Sequence, residues 1–136
     1  MLGGGNPVSG SNPAGTGKGL NYIGNQAYAQ SGAIASATSF TDQLNFDTGA
    51  AYIDAIIDLM GPVVEADPGD GTNSIFRIRF NSEIVAEVKV NTNPEASPTM
   101  YKLNMIIPTY TKVIIDCKST HTGQTTSVAI RGDVHA

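Results

Sequence analysis

A chain of 136 residues has room for one folded domain with a single hydrophobic core. Charged residues make up only 15% of it, aromatic residues 7%, and the formal net charge is −4. This net negative charge argues against sequence-independent binding to nucleic-acid phosphates. A surface so poor in charge is common where much of it lies against other subunits, although an uncharged monomeric β-domain would show the same composition.

The single cysteine, Cys117, excludes an intramolecular disulfide and a cysteine-rich zinc site. It lies in the strand-like run 113–117, where we expect a buried and inert thiol. No positively charged segment followed by an apolar one opens the chain, and no apolar run approaches the roughly 20 residues that span a bilayer. The sequence therefore predicts a soluble protein, made in the cytoplasm, with no membrane partner.

The first 19 residues contain only Leu2 and Val8 as large apolar side chains besides Met1, among glycine, proline, serine and asparagine. Such a stretch buries too little surface to offset its conformational entropy. We predict an extended arm over residues 1–19 that orders against a neighbour, followed by a single β-sandwich domain over residues 20–136. The expected contact residues combine apolar anchors with glycines that permit close backbone approach: Leu2, Gly3, Gly4, Gly5, Pro7 and Val8.

Apolar and polar residues alternate with period two along much of the remaining chain, a pattern typical of half-buried strands. Residues 20–32 read as an entry strand. Residues 38–46 predict a strand with Phe40, Leu44 and Phe46 facing the core, and with Gln43 on the solvent side.

Residues 51–60 (AYIDAIIDLM) fit either a helix or a strand. As a helix they have one apolar stripe, a Thr48 cap and a Gly61-Pro62 stop. As a strand they place alternate apolar residues in the core and leave Asp54 and Asp58 facing solvent. Local signals slightly favour the helix, but every neighbouring segment is β, and we therefore predict a strand.

The clearest hairpin pairs residues 75–80 with residues 84–90, each with one apolar face. These faces match across a three-residue loop, 81–83, because a two-residue loop would set Phe76 opposite Glu87. The same register places Arg77 opposite Glu87, a favourable cross-strand charge pair.

Residues 101–107 and 112–118 predict a second hairpin about a turn at 108–111, and residues 125–134 predict the last strand. About eight short strands separated by turn signals indicate an all-β fold. We expect an antiparallel β-sandwich of jelly-roll type with an extended N-terminal arm.

Several short motifs suggest binding chemistry but fit a structural role better. Residues 15–19 (GTGKG) lack the earlier glycine and the Ser or Thr of a phosphate loop. Glu65, Asp67 and Asp70 lack the spacing of a calcium loop. Residues 131–133 (RGD) spell an integrin-binding tripeptide, yet they continue a strand pattern. We therefore expect no metal and no cofactor.

The candidate catalytic residues are equally unconvincing. His121 lies in a polar tip and His135 is the penultimate residue, both poor places for a preorganised base. Asp54 and Asp58 share one face of either a strand or a helix, but tryptophan, a common sugar-stacking residue, is absent. The sequence therefore predicts that the protein is not an enzyme.

Several strings resemble a group of small proteins encoded by marine bacteriophages. They are GGGNP at 3–7, YIGNQAYAQSG at 22–32, LNFDTGAAYI at 44–53, IRFNSEIV at 78–85 and MIIPTYTKVIIDC at 105–117. The resemblance covers about residues 3–134, and its motifs are structural. It implies a virion component, a capsid decoration or cement protein with a β-sandwich fold, and it brings no catalytic residue.

The resulting hypothesis is a non-enzymatic protein that binds and reinforces a viral capsid lattice. Its expected partners are the capsid protein and copies of itself, as a homotrimer, with no nucleic acid. The alternative is a carbohydrate- or receptor-binding module of a phage spike, fibre or tail. Exposed Tyr101 and Tyr110 clustered with loop aspartates at one end would favour that alternative.

Overall fold

The computed structural model describes residues 20–63, 72–92, 100–120, 122 and 124–135, and all regular structure in these ranges is β-strand. The predicted arm, residues 1–19, lies outside the described residues. The described strands are β1 (Asn21–Ile23), β2 (Gln26–Gln30), β3 (Ile34–Ala35), β4 (Thr41–Asp47), β5 (Tyr52–Val63), β6 (Thr72–Phe80), β7 (Glu83–Thr92), β8 (Met100–Ile107), β9 (Lys112–Ser119) and β10 (Thr125–His135).

The strands form two antiparallel sheets. The larger sheet has the order β1-β2-β10-β5-β8, with β3 also beside β10, and the smaller has the order β4-β9-β6-β7. Apart from the short β1 and β3, the pairing is nested: β2 with β10, β4 with β9, β5 with β8, and β6 with β7. Successive pairs alternate between the sheets, which is the jelly-roll arrangement. The predicted fold class is confirmed, and two short strands add to the expected eight.

The ambiguous segment 51–60 is a strand, as predicted. In β5 the side chains of Ile53, Ala55, Ile57 and Leu59 are all 0% exposed, and they face the core. Because β5 lies between β10 and β8, its backbone groups pair on both sides. This long-range pairing outweighs the local helix signals, which contribute only tenths of a kcal/mol per residue.

The predicted three-residue loop of the first hairpin is wrong, although its register is correct. Phe80 pairs with Glu83 across a two-residue turn, in which Asn81 and Ser82 have φ of 51° and 75°. Positive φ at both positions is the signature of the type I′ hairpin turn. A bulge then shifts the ladder between Ile78 and Arg79 and leaves Val85 without a paired residue. The bulge therefore restores the predicted pairing of Arg77 with Glu87.

A second bulge corrects the prediction for β4. The pairing with β9 shifts between Asp42 and Leu44, so that Gln43 is bulged. Leu44 and Phe46 face the core as expected, but Gln43 is only 1% exposed. Its Oε1 accepts a hydrogen bond from the Thr126 hydroxyl, at 3.1 Å. Because of this bulge, Phe40 does not face the core as predicted. Its ring lies over Arg77 instead.

Two further connections differ from the sequence prediction. The entry segment is a small hairpin of β1 and β2, closed at Gly24 with φ of 60°. The turn at 108–111 is present, but β8 and β9 belong to different sheets and form no hairpin. The turn carries the chain from one sheet to the other, as a jelly roll requires.

Gly132 allows β10 and β5 to lie close together in the larger sheet. It pairs with Ala27 on one side and Ala55 on the other. A Cβ added at this position would overlap the Asp54 carbonyl oxygen and lie 2.9 Å from both Ala55 Cα and Ile53 Cγ2. A side chain at position 132 would therefore push against backbone that the sheet holds in place.

We predict that Gly132→Ala lowers the free energy of unfolding by about 1–3 kcal/mol, the usual cost of overpacking. Ser127→Ala, on the outer side of the same strand, is the control and should change it by less than about 0.5 kcal/mol. Urea denaturation followed by circular dichroism measures both values. Equal midpoints for the two variants would contradict the close approach of β10 and β5.

Candidate interaction surfaces

The residues predicted to make lattice contacts, Leu2, Gly3, Gly4, Gly5, Pro7 and Val8, lie outside the described residues. So do residues 15–19, the carboxylates Glu65, Asp67 and Asp70, and His121. The chain enters the described domain at Leu20, which is 1% exposed and belongs to the core cluster. The described part of the domain therefore begins at a buried side chain.

A buried carboxylate organises the outer face of the smaller sheet. Asp116 is 1% exposed although it points away from the core. Arg77 donates from Nε and Nη2 to its two oxygens at 2.9 and 2.8 Å, and Arg79 Nη2 donates to Oδ2 at 2.9 Å. The hydrogen bonds to Asp116 raise the pKa of Arg77 above its ordinary value. Arg77 thus lies opposite Glu87 but forms its ion pair with Asp116 on the other neighbouring strand.

An aromatic ring covers this ion pair. The Arg77 guanidinium carbon lies 3.5 Å from the centre of the Phe40 ring, and Lys118 Nζ lies 5.1 Å from it. Such cation–π contacts contribute about 0.5–2 kcal/mol, more when they are desolvated. The arginines are therefore engaged with Asp116 and Phe40, so this face is a structural network rather than an open anion site.

The outer face of the larger sheet carries a more exposed network. Asp58 accepts hydrogen bonds from Lys102 Nζ at 3.0 Å and Arg131 Nη1 at 2.6 Å. Partial burial opposes ionisation, but these hydrogen bonds hold the pKa of Asp58 below its ordinary value. Asp54 shares this face, as predicted. Four residues of extended strand separate the two carboxylates by about 13 Å, beyond the roughly 5–10 Å of glycosidase pairs.

The RGD tripeptide lies inside a sheet, as its strand pattern predicts. Residues 131–133 pair with β2 on one side and β5 on the other. Asp133 accepts a hydrogen bond from Gln26 Nε2, and Arg131 binds Asp58. Integrin-type display needs an exposed loop tip, which this position does not provide.

His135 and Cys117 have structural surroundings. The His135 ring stacks on Tyr52 at 5.0 Å with an interplanar angle of 17°. The Cys117 thiol is buried, and burial raises its pKa to about 11. Because the thiolate is the reactive form, this cysteine is inert at neutral pH, as predicted.

A shallow groove of about 300 Å³ opens beside β10 where β2 gives way to β3. Its lining is apolar or hydroxyl-bearing and contains no charged side chain: Gln30, Gly32, Ala33, Met60, Thr125, Thr126, Ser127, Val128 and Ala129. Within the described ranges, no group of three or more His, Cys, Asp or Glu residues could hold a metal ion. The same part of the chain contains no helix long and apolar enough to cross a membrane.

Exposed apolar side chains concentrate on β7 and β8. Of the nine large apolar residues exposed in the described part of the chain, two lie on β7 and three on β8: Ile84, Val85, Met100, Tyr101 and Ile106. β7 and β8 are edge strands of different sheets, and exposed apolar side chains on such strands are candidates for contact with other chains. Sequence alternation did not reveal these exposed side chains, although Met100 and Ile106 add apolar residues to the outer face of β8.

Tyr101 and Tyr110 do not cluster. Tyr101 lies near the start of β8, whereas Tyr110 lies in the turn after its end and is 73% exposed. The length of β8 between them is about 20 Å at 3.3 Å per residue. The cluster of the two tyrosines at one end, which would favour a carbohydrate- or receptor-binding module, is therefore not formed.

No protein-family model and no curated protein sequence matches this chain. Among solved structures, it is similar to a chain in the crystal structure of the T13 particle of infectious bursal disease virus. The identity is 11%, the match covers 80% of this chain and 31% of the viral chain, and the TM-score is 0.46. The structure of the Gx strain of the same virus gives 11%, 82%, 30% and 0.43. The present chain thus spans about a third of the length of these viral chains.

The nested strand pairing defines the class of protein by itself: a jelly-roll β-sandwich. This fold carries many unrelated functions, so the surfaces described above must supply the argument for function.

We predict that Arg77→Ala lowers the free energy of unfolding by about 2–3 kcal/mol, because it leaves the buried Asp116 carboxylate with Arg79 alone. Arg131→Ala is the matched control: it also removes an arginine from an ion pair, but one whose side chain is 54% exposed. Its cost should stay below about 1 kcal/mol. Chemical denaturation of both variants measures the difference, and equal costs would show that Asp116 is not held as described.

Proposed function

We propose that the protein is a non-enzymatic structural component of a virus particle, a decoration or cement protein that binds and reinforces the capsid lattice. The observation that carries the proposal is the set of exposed apolar side chains on the edge strands β7 and β8. A charged fraction of only 15% supports it, because few charged side chains would lose their hydration when the surface is buried against another subunit. The jelly roll, a fold used by viral capsid domains as well as lectins, is compatible with this role.

The mechanism is burial of apolar surface between neighbouring subunits. Each Å² of apolar surface removed from water contributes about 25 cal/mol, against the cost of immobilising the subunit. Ordering a glycine-rich arm adds to that cost, so one isolated contact is weak. Many copies on a lattice offset the cost, because each subunit that is already held binds its next neighbour intramolecularly.

In its finer form, the proposal is a bacteriophage protein on the outer face of an icosahedral shell. Its partners are the capsid protein and two further copies of itself, in a homotrimer at a local threefold position. Leu2, Pro7 and Val8 of the arm are the apolar anchors on the adjacent subunit, and Gly3 to Gly5 permit close backbone approach. No nucleic-acid contact is part of this proposal.

One observation favours a receptor- or carbohydrate-binding role instead. Tyr110 is 73% exposed on a turn that the backbone fixes, since its N–H donates to the Gly49 carbonyl at 2.9 Å. An exposed, fixed tyrosine is a common element of recognition surfaces. Without Tyr101 beside it, however, this end of the molecule offers less aromatic surface than the alternative requires.

Quantitative mass spectrometry of purified particles distinguishes the two roles. For a decoration or cement protein we expect a copy number comparable to that of the capsid protein. A few copies per particle would favour a spike, fibre or tail module. Absence from particles would overturn both roles.

Removing residues 2–12 should weaken attachment to shells while leaving the domain folded, since Leu20 and every described strand remain. The measurement is cosedimentation with shells that lack the protein, compared with the full chain at equal concentration. Circular dichroism controls for folding. Unchanged occupancy by the truncated protein would mean that the arm is only a spacer.

A further inference from the structure

The free edge of β8 differs from the other sheet edges of the domain. Among the described strands, β8 is hydrogen-bonded to β5 alone. It is eight residues long, its register with β5 is unbroken from Met100 to Ile107, and Lys102 is its only charged residue. A long, regular, apolar edge offers a row of unpaired N–H and C=O groups to another strand.

The remaining edges carry the features that discourage strand addition. The edge strand β7 has the bulge at Val85 and the charged residues Glu87 and Lys89. The edge strand β4 has the bulge at Gln43 and ends at Asp47. On the other side of the larger sheet, β1 and β3 are three and two residues long. Bulges, charges and short strands all protect edges, whereas β8 is regular, eight residues long and has Lys102 as its single protecting charge.

Both faces of β8 also carry apolar side chains that are incompletely covered. Met100 and Ile106 are 52% and 53% exposed on the outer face, and Tyr101 is 46% exposed on the inner face. Leu103 and Met105 are only partly buried against the core. A strand added at this edge would cover side chains on both faces as well as the backbone.

We propose that the free edge of β8 pairs with β8 of a second copy of this chain, antiparallel and about a twofold axis at Leu103. A twofold axis perpendicular to the sheet keeps outer residues opposite outer residues, so it must pass through a residue position rather than between two. The choice of position then decides which side chains meet.

The register centred on Leu103 is self-complementary. It places Met100 opposite Ile106 and Lys102 opposite Asn104 on the outer face. On the inner face it places Tyr101 opposite Met105 and Leu103 opposite its own copy. Between Met100 and Ile106, each apolar residue thus meets an apolar one, and the charged residue meets an amide.

The neighbouring registers are worse. A twofold at position 102 would bring two Lys102 ammonium groups together, and like charges directly opposite are destabilising. A twofold at Asn104 would set Lys102 against Ile106. Because the contact is a single strand, it buries less than a standard protein interface, and we expect concentration-dependent association. The inference does not rest on a virion role.

A disulfide test reports the register directly. Residues opposite each other in an antiparallel pair have Cα atoms about 4.5–5.5 Å apart, within the range that a disulfide bridges. Leu103→Cys should therefore give a disulfide-linked dimer under mild oxidation. Lys89→Cys, on the protected β7 edge, is the control and should give none. The native Cys117 is buried and does not compete.

If Leu103→Cys perturbs folding, cysteines on the outer face provide a second test of the register. A mixture of Lys102→Cys and Asn104→Cys chains should form mixed disulfide dimers in preference to either homodimer. Homodimers of Asn104→Cys alone would mean the wrong register, and absence of any cross-link above the Lys89→Cys control would overturn the proposal.

A matched pair of substitutions tests the association itself. Ile106 and Ile84 are both 53% exposed, and both lie on edge strands. Ile106→Lys should weaken self-association by about tenfold or more, equivalent to roughly 1.4 kcal/mol, whereas Ile84→Lys should leave it unchanged. Sedimentation equilibrium of the full chain measures both, and a threefold contact elsewhere would remain in each variant. Equal behaviour of the two variants, or no association that depends on β8, would refute the contact.

Discussion

The nested pairing of strands that are far apart in the sequence is the constraint on which the rest of this structure depends. β10, near the end of the chain, pairs with β2 and β3 from its beginning and with β5 from its middle. This pairing fixes the inner row of β5, from Ile53 to Leu59, against the opposite sheet. It also requires glycine at position 132, because β10 and β5 approach too closely there for a Cβ.

The same pairing decides where the polar groups of the described surface find hydrogen-bond partners. On the outer face of the smaller sheet, Asp116 accepts hydrogen bonds from Arg77 and Arg79, and Phe40 lies over the Arg77 guanidinium. On the larger sheet, Asp58 binds Lys102 and Arg131. Among the described strands, β8 pairs with β5 alone, and it carries exposed apolar side chains. A surface of this kind is suited to contact with other protein chains.

Alternation predicted the fold class and most strand positions, because period two depends only on which side chains face the core. It failed where one extra residue changed the phase, as at Gln43 and Val85, since a bulge leaves no distinct mark in the alternation. The sequence also predicted a hairpin of β8 and β9, because strands that are adjacent in the sequence are the simplest partners to assume. The apolar edge was missed for the same reason: whether β8 is an edge depends on which strands pair, and that is decided by long-range contacts.

A density map of the assembled particle, at a resolution that traces strands, tests the account most directly. The account predicts the protein in many symmetry-related copies over the outer face of the shell, with the β8 strands of neighbouring copies side by side and antiparallel. Density confined to one vertex or to a tail, or β8 edges that face solvent in every copy, would contradict it.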